Sequence, residues 1–249
     1  MNYWDQQAEH GDLRAVIDHN DKVGHKNAWI DCLTKTALSL HGSLSRNDSA
    51  LDFGCGIGRI TIWLGTHVRD VVGVDTSERM IERARANAQE AGASAIRFAA
   101  FDGPTLQFDQ VFDVVTSVYV MECISDNPAF NRTISELSRV TRKGGRVLFI
   151  ERTAEANPEE AWMPKGVILR RPIAEYYQSF LSAGLRCTKT IPIRDPGVIC
   201  NSPRLNRMVL RGWIPKVALP FVARAHIGVK SRQTHMSEWV DHLFVCEKV

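Results

Sequence analysis

Three glycines at alternate positions, Gly54-x-Gly56-x-Gly58, stand between an apolar stretch ending at Phe53 and a second apolar stretch starting near Ile60. Glycine lets a backbone turn tightly and come close to a ligand, and a helix beginning directly afterwards offers unpaired N–H groups. A nucleotide-like cofactor is the chemistry that such a loop serves, although a purely structural strand-to-helix turn uses the same residues. Asp75 follows Gly54 by 21 residues, at the end of the next apolar stretch, where a carboxylate can accept both hydroxyls of a ribose or cap a helix. A dinucleotide loop asks for a further Gly or Ala at position 59, which here is Arg59, and no Tyr-x-x-x-Lys pair lies near the fifth strand. Both points weigh against a nicotinamide oxidoreductase.

The elements that must position these residues alternate. A helix over 27–44, with Trp29, Ile30, Leu33, Ala37 and Leu40 at helical spacing, precedes strand 50–53 and helix 60–64. Strand 71–74, helix 77–91 capped by Thr76 or Ser77, and strand 96–100 follow. Next come strand 111–117, a helix opened by Asn127-Pro128 and stopped at Lys143-Gly144-Gly145, and strand 146–151. A helix after Pro172, strand 185–193 and strand 242–246 complete the pattern. Such alternation predicts a doubly wound α/β fold: a seven-stranded, mostly parallel sheet with an antiparallel last strand, an N-terminal helical extension and an insertion before that strand. The expected organisation is one domain, with a helical cap over 1–47, a cofactor-binding half over 48–151 and a substrate half over 152–249.

Leu51 to Gly58, followed by Val74-Asp75-x-Ser77-x-x-Met80, resembles the first two motifs of class I S-adenosylmethionine-dependent methyltransferases, and the likeness extends over residues 48–151. The small-molecule branch is the nearer fit. This resemblance implies S-adenosyl-L-methionine as cofactor, with Gly54, Cys55, Gly56 and Gly58 along its methionine and ribose, Asp52 supporting its amino group, Asp75 and Thr76 at the ribose and Met80 near the adenine. Asp102-Gly103 is similar to the family's adenine-contact position, and Ser117 lies on the strand end that faces the methyl group. No Asn/Asp-Pro-Pro-Tyr/Phe loop stands after that strand, and Cys123 lacks the Pro-Cys setting of the RNA cytosine enzymes.

Transfer from a sulfonium is an in-line displacement that needs an oriented acceptor and, for many acceptors, a proton acceptor; no metal is required. Histidines 10, 19, 25, 226 and 235 lie in the segments expected around the acceptor. His19 and His235 lead the catalytic candidates, followed by Tyr119 and Glu122, which come directly after the fourth strand.

Composition sets further limits. Six scattered cysteines form no zinc or Cys-x-x-Cys spacing and read as reduced and mostly buried. The N-terminus has no signal-peptide order and no apolar run reaches about 18 residues, so a cytoplasmic location is expected. The net charge of +3 hides a segment, 194–235, with eight Lys/Arg against the single acid Asp195. With Leu205, Met208, Trp213, Ile214 and Phe221 interleaved, that segment suggests an anionic or lipid-like small acceptor, or a peripheral membrane contact, or a solvated basic lid. Nucleic acid is the weaker partner, since no RNA-binding module is present. The alternatives are an RNA or protein methyltransferase and a non-catalytic cofactor-binding module with a basic interaction surface.

Overall fold

The computed structural model describes residues 3–102, 105–108, 111–155, 159–163, 166–195, 203–230 and 239–249. Short helix α1 (Tyr3–Gln7) and two single 3-10 turns lead to α2 (His25–His41), which buries Trp29, Ile30, Leu33 and Ala37. Then strand and helix alternate: β1 (Ser49–Phe53), α3 (Arg59–Leu64), β2 (Asp70–Asp75), α4 (Glu78–Glu90), β3 (Arg97–Ala100), β4 (Phe112–Val118), α5 (Asn127–Arg139) and β5 (Thr141–Ala154). A hairpin of β6 (Glu159–Met163) and β7 (Gly166–Arg170) precedes α6 (Ile173–Ser182) and β8 (Leu185–Arg194). Helices α7 (Pro203–Leu210) and α8 (Leu219–Lys230) precede β9 (Trp239–Lys248).

The main sheet has seven strands in the order β3-β2-β1-β4-β5-β9-β8. Pairings among the first five are parallel, and β9 runs antiparallel to both β5 and β8. The order reverses between β1 and β4, so the carboxyl ends of these two strands flank the crevice where open α/β sheets bind ligands. Helices cover both faces, as the fully buried β1 requires. On one face α2, α3 and α8 pack Trp29, Leu33, Ile60, Leu64, Ala223 and Ile227 against Ala50, Val114 and Leu148. On the other, Phe130 of α5 and Tyr176 and Phe180 of α6 pack on Phe149 and Phe244, with ring centroids 4.8 Å apart for Phe149–Phe180 and 5.0 Å for Tyr176–Phe244. Each such buried ring contributes roughly 1.5–3 kcal/mol.

Two side chains cap helices, Ser77, one of the two candidates from the sequence, and Asp126, which the sequence reading did not name. Ser77 Oγ accepts from Met80 N at 3.1 Å, and the Asp126 carboxylate accepts from Ala129 N at 2.7 Å, which together start α4 and α5.

Three readings need correction. Lys143-Gly144-Gly145 does not stop α5, which ends at Arg139; it lies inside β5, because Thr141 already pairs with Phe112 and Gly144, at φ 70°, sits where the register shifts. Of the cysteines described, Cys55 and Cys246 are buried, whereas Cys32, Cys123 and Cys187 are half-buried; all five are free thiols. Among the described residues the basic insertion carries the two helices α7 and α8, where the sequence reading offered only a basic lid.

Candidate active site

The glycine loop turns from β1 into α3 with Gly54, Gly56 and Gly58 all in left-handed conformation, at φ 69°, 51° and 80°. A Cβ at Gly54 would lie 2.3 Å from Val120 Cγ2, so a side chain there has neither the conformation nor the room. Asp75, at the end of β2, fixes the loop from the neighbouring strand: its carboxylate accepts from Gly56 N at 2.8 Å and from Ser77 N at 3.0 Å. Burial pushes the Asp75 pKa up against the pull of these N–H groups. Asp52 is fully enclosed behind the loop, accepting from Thr61 Oγ1 at 2.6 Å and Thr116 Oγ1 at 2.8 Å, and burial pushes its pKa up to about 6.

These residues wall a cavity of about 420 Å³ to which Asp52, Gly54, Cys55, Gly56, Asp75, Thr76 and Met80 all contribute. Three residues named from the sequence stand elsewhere. Gly58 caps α3, its absent Cβ 3.1 Å from both Ala84 and Phe98. Asp102 is exposed, and its neighbour Phe101 lines the cavity instead. Ser117 is buried with no hydrogen-bond partner for its hydroxyl, while Val118, Tyr119 and Val120 reach the cavity. Gly103 lies outside the described residues. Arg59 lines the cavity but turns its guanidinium to Asp31 of α2, 2.8 Å away.

A second chamber, of about 600 Å³, shares Trp4, Val16 and Tyr119 with the first. His19, Tyr119 and Glu122 meet there; His235 lies outside the described residues. Four cations, Arg14, Lys26, Arg152 and Arg194, border it against the carboxylates of Asp18 and Glu122. Lys26 pairs with Asp18 at 2.6 Å and Arg14 with Asp12 at 3.0 Å, which leaves Arg152 and Arg194 set deeper in the wall.

The floor is a buried charge network. Tyr119, a non-glycine residue at φ 58°, donates its hydroxyl to Asp241 at 2.9 Å. Asp241 also receives Arg194 Nη2 at 2.7 Å and faces Arg152 Nε at 3.7 Å, and Arg152 lies 3.6 Å from Glu122. Burial, then the Asp241 charge, pushes the Tyr119 pKa up. Burial opposes the Arg152 charge, but Glu122 and Asp241 outweigh it and hold that pKa above its ordinary value. Beneath them Glu151 accepts from the N–H groups of Val120, Met121 and Glu122, and burial, followed by the Glu122 charge, pushes its pKa up to about 8.

Residues 50–145 match the family described as Methyltransferase domain. Over that stretch the chain is similar to methyltransferase domains. The uncharacterized methyltransferase YcgJ of Bacillus subtilis is 32% identical over 145 residues, 58% of this chain and 54% of that protein. A 23S rRNA (uracil(1939)-C(5))-methyltransferase of Marinomonas sp. is 40% identical over 102 residues, 41% of this chain and 22% of that protein. The chain thus spans about half, or less, of the curated relatives it matches. In fold it is similar to a putative sarcosine dimethylglycine methyltransferase from Galdieria sulphuraria, with TM-score 0.65 and 14% identity, covering 99% of this chain and 98% of that one.

The first cavity fits S-adenosylmethionine, the cofactor that the sequence resemblance implies. Without side chains Gly54 and Gly56 let Val120 and Val16 close on the loop as cavity wall, Asp75 presents a carboxylate at its rim, and Met80 and Phe101 supply an apolar wall suited to a base. Trp4 and Val16 were not singled out from the sequence, because isolated apolar residues in a polar N-terminal segment carry no periodicity. They arrive through tertiary contacts: Ser77 Oγ donates to Asp5 at 2.7 Å and Arg83 Nε to Gly11 O at 3.1 Å, which lays the N-terminal segment over the loop.

Proposed function

We propose that this chain transfers the methyl group of S-adenosylmethionine to an O or N atom of a small anionic or lipid-like acceptor in the second chamber. The observation that carries the reading is the shared wall: a cofactor against the glycine loop and Asp75 would meet an acceptor among Arg14, Lys26, Arg152 and Arg194 across Trp4, Val16 and Tyr119. When bound, the cofactor supplies an electrophilic methyl on a sulfonium.

The chain's own residues do the rest by orientation and charge. Asp75 holds a ribose. Arg152 and Arg194, kept charged and immobile by Glu122 and Asp241, favour an anionic acceptor. His19, half-buried in the chamber wall, is the candidate to take the acceptor's proton. Tyr119 has its hydroxyl committed to Asp241, which suits it to shaping the passage between the chambers. Glu122 balances Arg152.

Titration calorimetry with S-adenosylmethionine and its demethylated product, beside Asp75→Ala, tests the cofactor site. An acceptor screen read by mass spectrometry and begun with anionic lipid-like compounds tests the rest. Methylation of RNA or protein fragments in place of small anions would overturn the acceptor assignment, and cofactor binding with turnover of no acceptor would favour a non-catalytic module.

A further inference from the structure

From 203 to 230 the chain holds Arg204, Arg207, Arg211, Lys216, Arg224 and Lys230 and no Asp or Glu. The first five of these cations are exposed. Along the same segment Trp213, Val217 and Phe221 stand four residues apart and are 59%, 82% and 77% exposed. The opposite side is fully used, since Val209, Ile214, Ala223 and Ile227 belong to the core over α2 and the sheet. Hydrophobic burial inside the protein therefore does not account for the outer apolar row.

The carboxylates on elements packed against this segment are already engaged. Asp31 is held by Lys35 and Arg59, Asp12 by Arg14, and Asp21 by the N–H groups of Gly24 and Asn27. The Arg211 guanidinium lies 5.2 Å from the Trp213 ring, pairing a cation with an indole at the protein's edge.

We propose that this face docks on the surface of an anionic lipid bilayer, with Trp213, Val217 and Phe221 entering the headgroup boundary and Arg211, Lys216 and Arg224 meeting lipid phosphates. An indole, a phenyl and an aliphatic side chain flanked by cations without an acid match the requirements of interfacial binding, apolar area plus attraction to anionic headgroups. RNA would use the cations and stack on the aromatics but would leave Val217, the most exposed of the three, against phosphate and water. Among the described residues no helix is long and apolar enough to cross a membrane, so the contact is peripheral. Leu210, half-exposed at the end of α7, also lines the second chamber, so the docking face adjoins it. The docking itself does not depend on methyl transfer.

Vesicle flotation of the full chain separates these readings without any turnover measurement. The chain floats with vesicles of phosphatidylcholine plus phosphatidylglycerol at low salt, stays behind with phosphatidylcholine alone, and is released by high salt. A Val217→Glu, Phe221→Glu double variant lowers the bound fraction about tenfold or more, with melting temperature and cofactor affinity unchanged because both side chains are solvent-facing. An Arg211→Glu, Lys216→Glu variant does the same. Absence of flotation with anionic vesicles, or flotation indifferent to both variants, overturns the proposal. So does single-stranded RNA that strips the chain from vesicles and binds the Val217/Phe221 variant as tightly as the parent.

Discussion

Tyr119 and Asp241, 122 residues apart in sequence, are joined by a 2.9 Å hydrogen bond from the phenol to the carboxylate. The bond links the carboxyl end of β4 to β9 and anchors a residue held at φ 58°. Because Asp241 is fully buried and shared with Arg194 and Arg152, its removal takes a buried carboxylate from both guanidinium groups. Asp241→Ala is expected to destabilise the fold by about 3–5 kcal/mol. Denaturant unfolding measures it, and Tyr119→Phe, which leaves the ion pairs in place, should cost well under half as much.

Asp75→Ala removes the acceptor for Gly56 and Ser77 N–H together with the proposed ribose partner. The expected loss is about 10- to 100-fold in S-adenosylmethionine affinity, measured by calorimetry. Asp75→Asn, which keeps one carbonyl for the loop, should fall between that variant and the parent.

Gly54→Ala places a methyl against Val120 at a left-handed backbone position. A stability loss of about 1–3 kcal/mol is expected, along with weakened cofactor binding. Adding Val120→Ala should recover the steric part and not the conformational part, so thermal melts of the single and double variants should differ while both stay below the parent.

Glu151 gives a pH prediction. Its folded pKa, about 8, stands above the ordinary glutamate value of 4.5, so between these values the folded chain binds a proton that the unfolded chain does not. The associated stability is complete below pH 4.5 and is lost as pH rises through about 8. Glu151→Gln should flatten the stability profile across that window, as read from denaturant midpoints at a series of pH values.

The latch between Asp5 and Ser77 is accessible to a milder test. Asp5→Ala is expected to raise the cofactor dissociation rate several-fold in stopped-flow measurements. Global stability should change by only about 1 kcal/mol, the worth of one partly exposed hydrogen bond.

What was legible in the sequence was local. The turn at Gly54–Gly58 and the Ser77 cap depend on neighbours within a few residues, Asp75 was marked by its place at the end of the second strand, and the strand–helix alternation foretold the sheet. The chamber floor was not legible, because Tyr119, Glu122, Arg152, Arg194 and Asp241 come together only through the strand order β4-β5-β9-β8. Tyr119 and Glu122 were named for their place after a strand, a positional signal that says nothing of Asp241. Likewise Gly144-Gly145 has the local chemistry of a helix stop, and only the pairing of Thr141 with Phe112 makes it part of a strand.

Trp4 and Val16 belong to the walls of both chambers. A ligand in either chamber presses on the same indole and the same isopropyl group, so whatever ordering free energy one occupant spends on the N-terminal segment is spared the other. Such coupling is reciprocal by thermodynamic necessity. The spent cofactor and the finished product would then hold each other in place until one leaves, its departure loosening the other, and one short stretch of chain would set the rhythm of exchange for both.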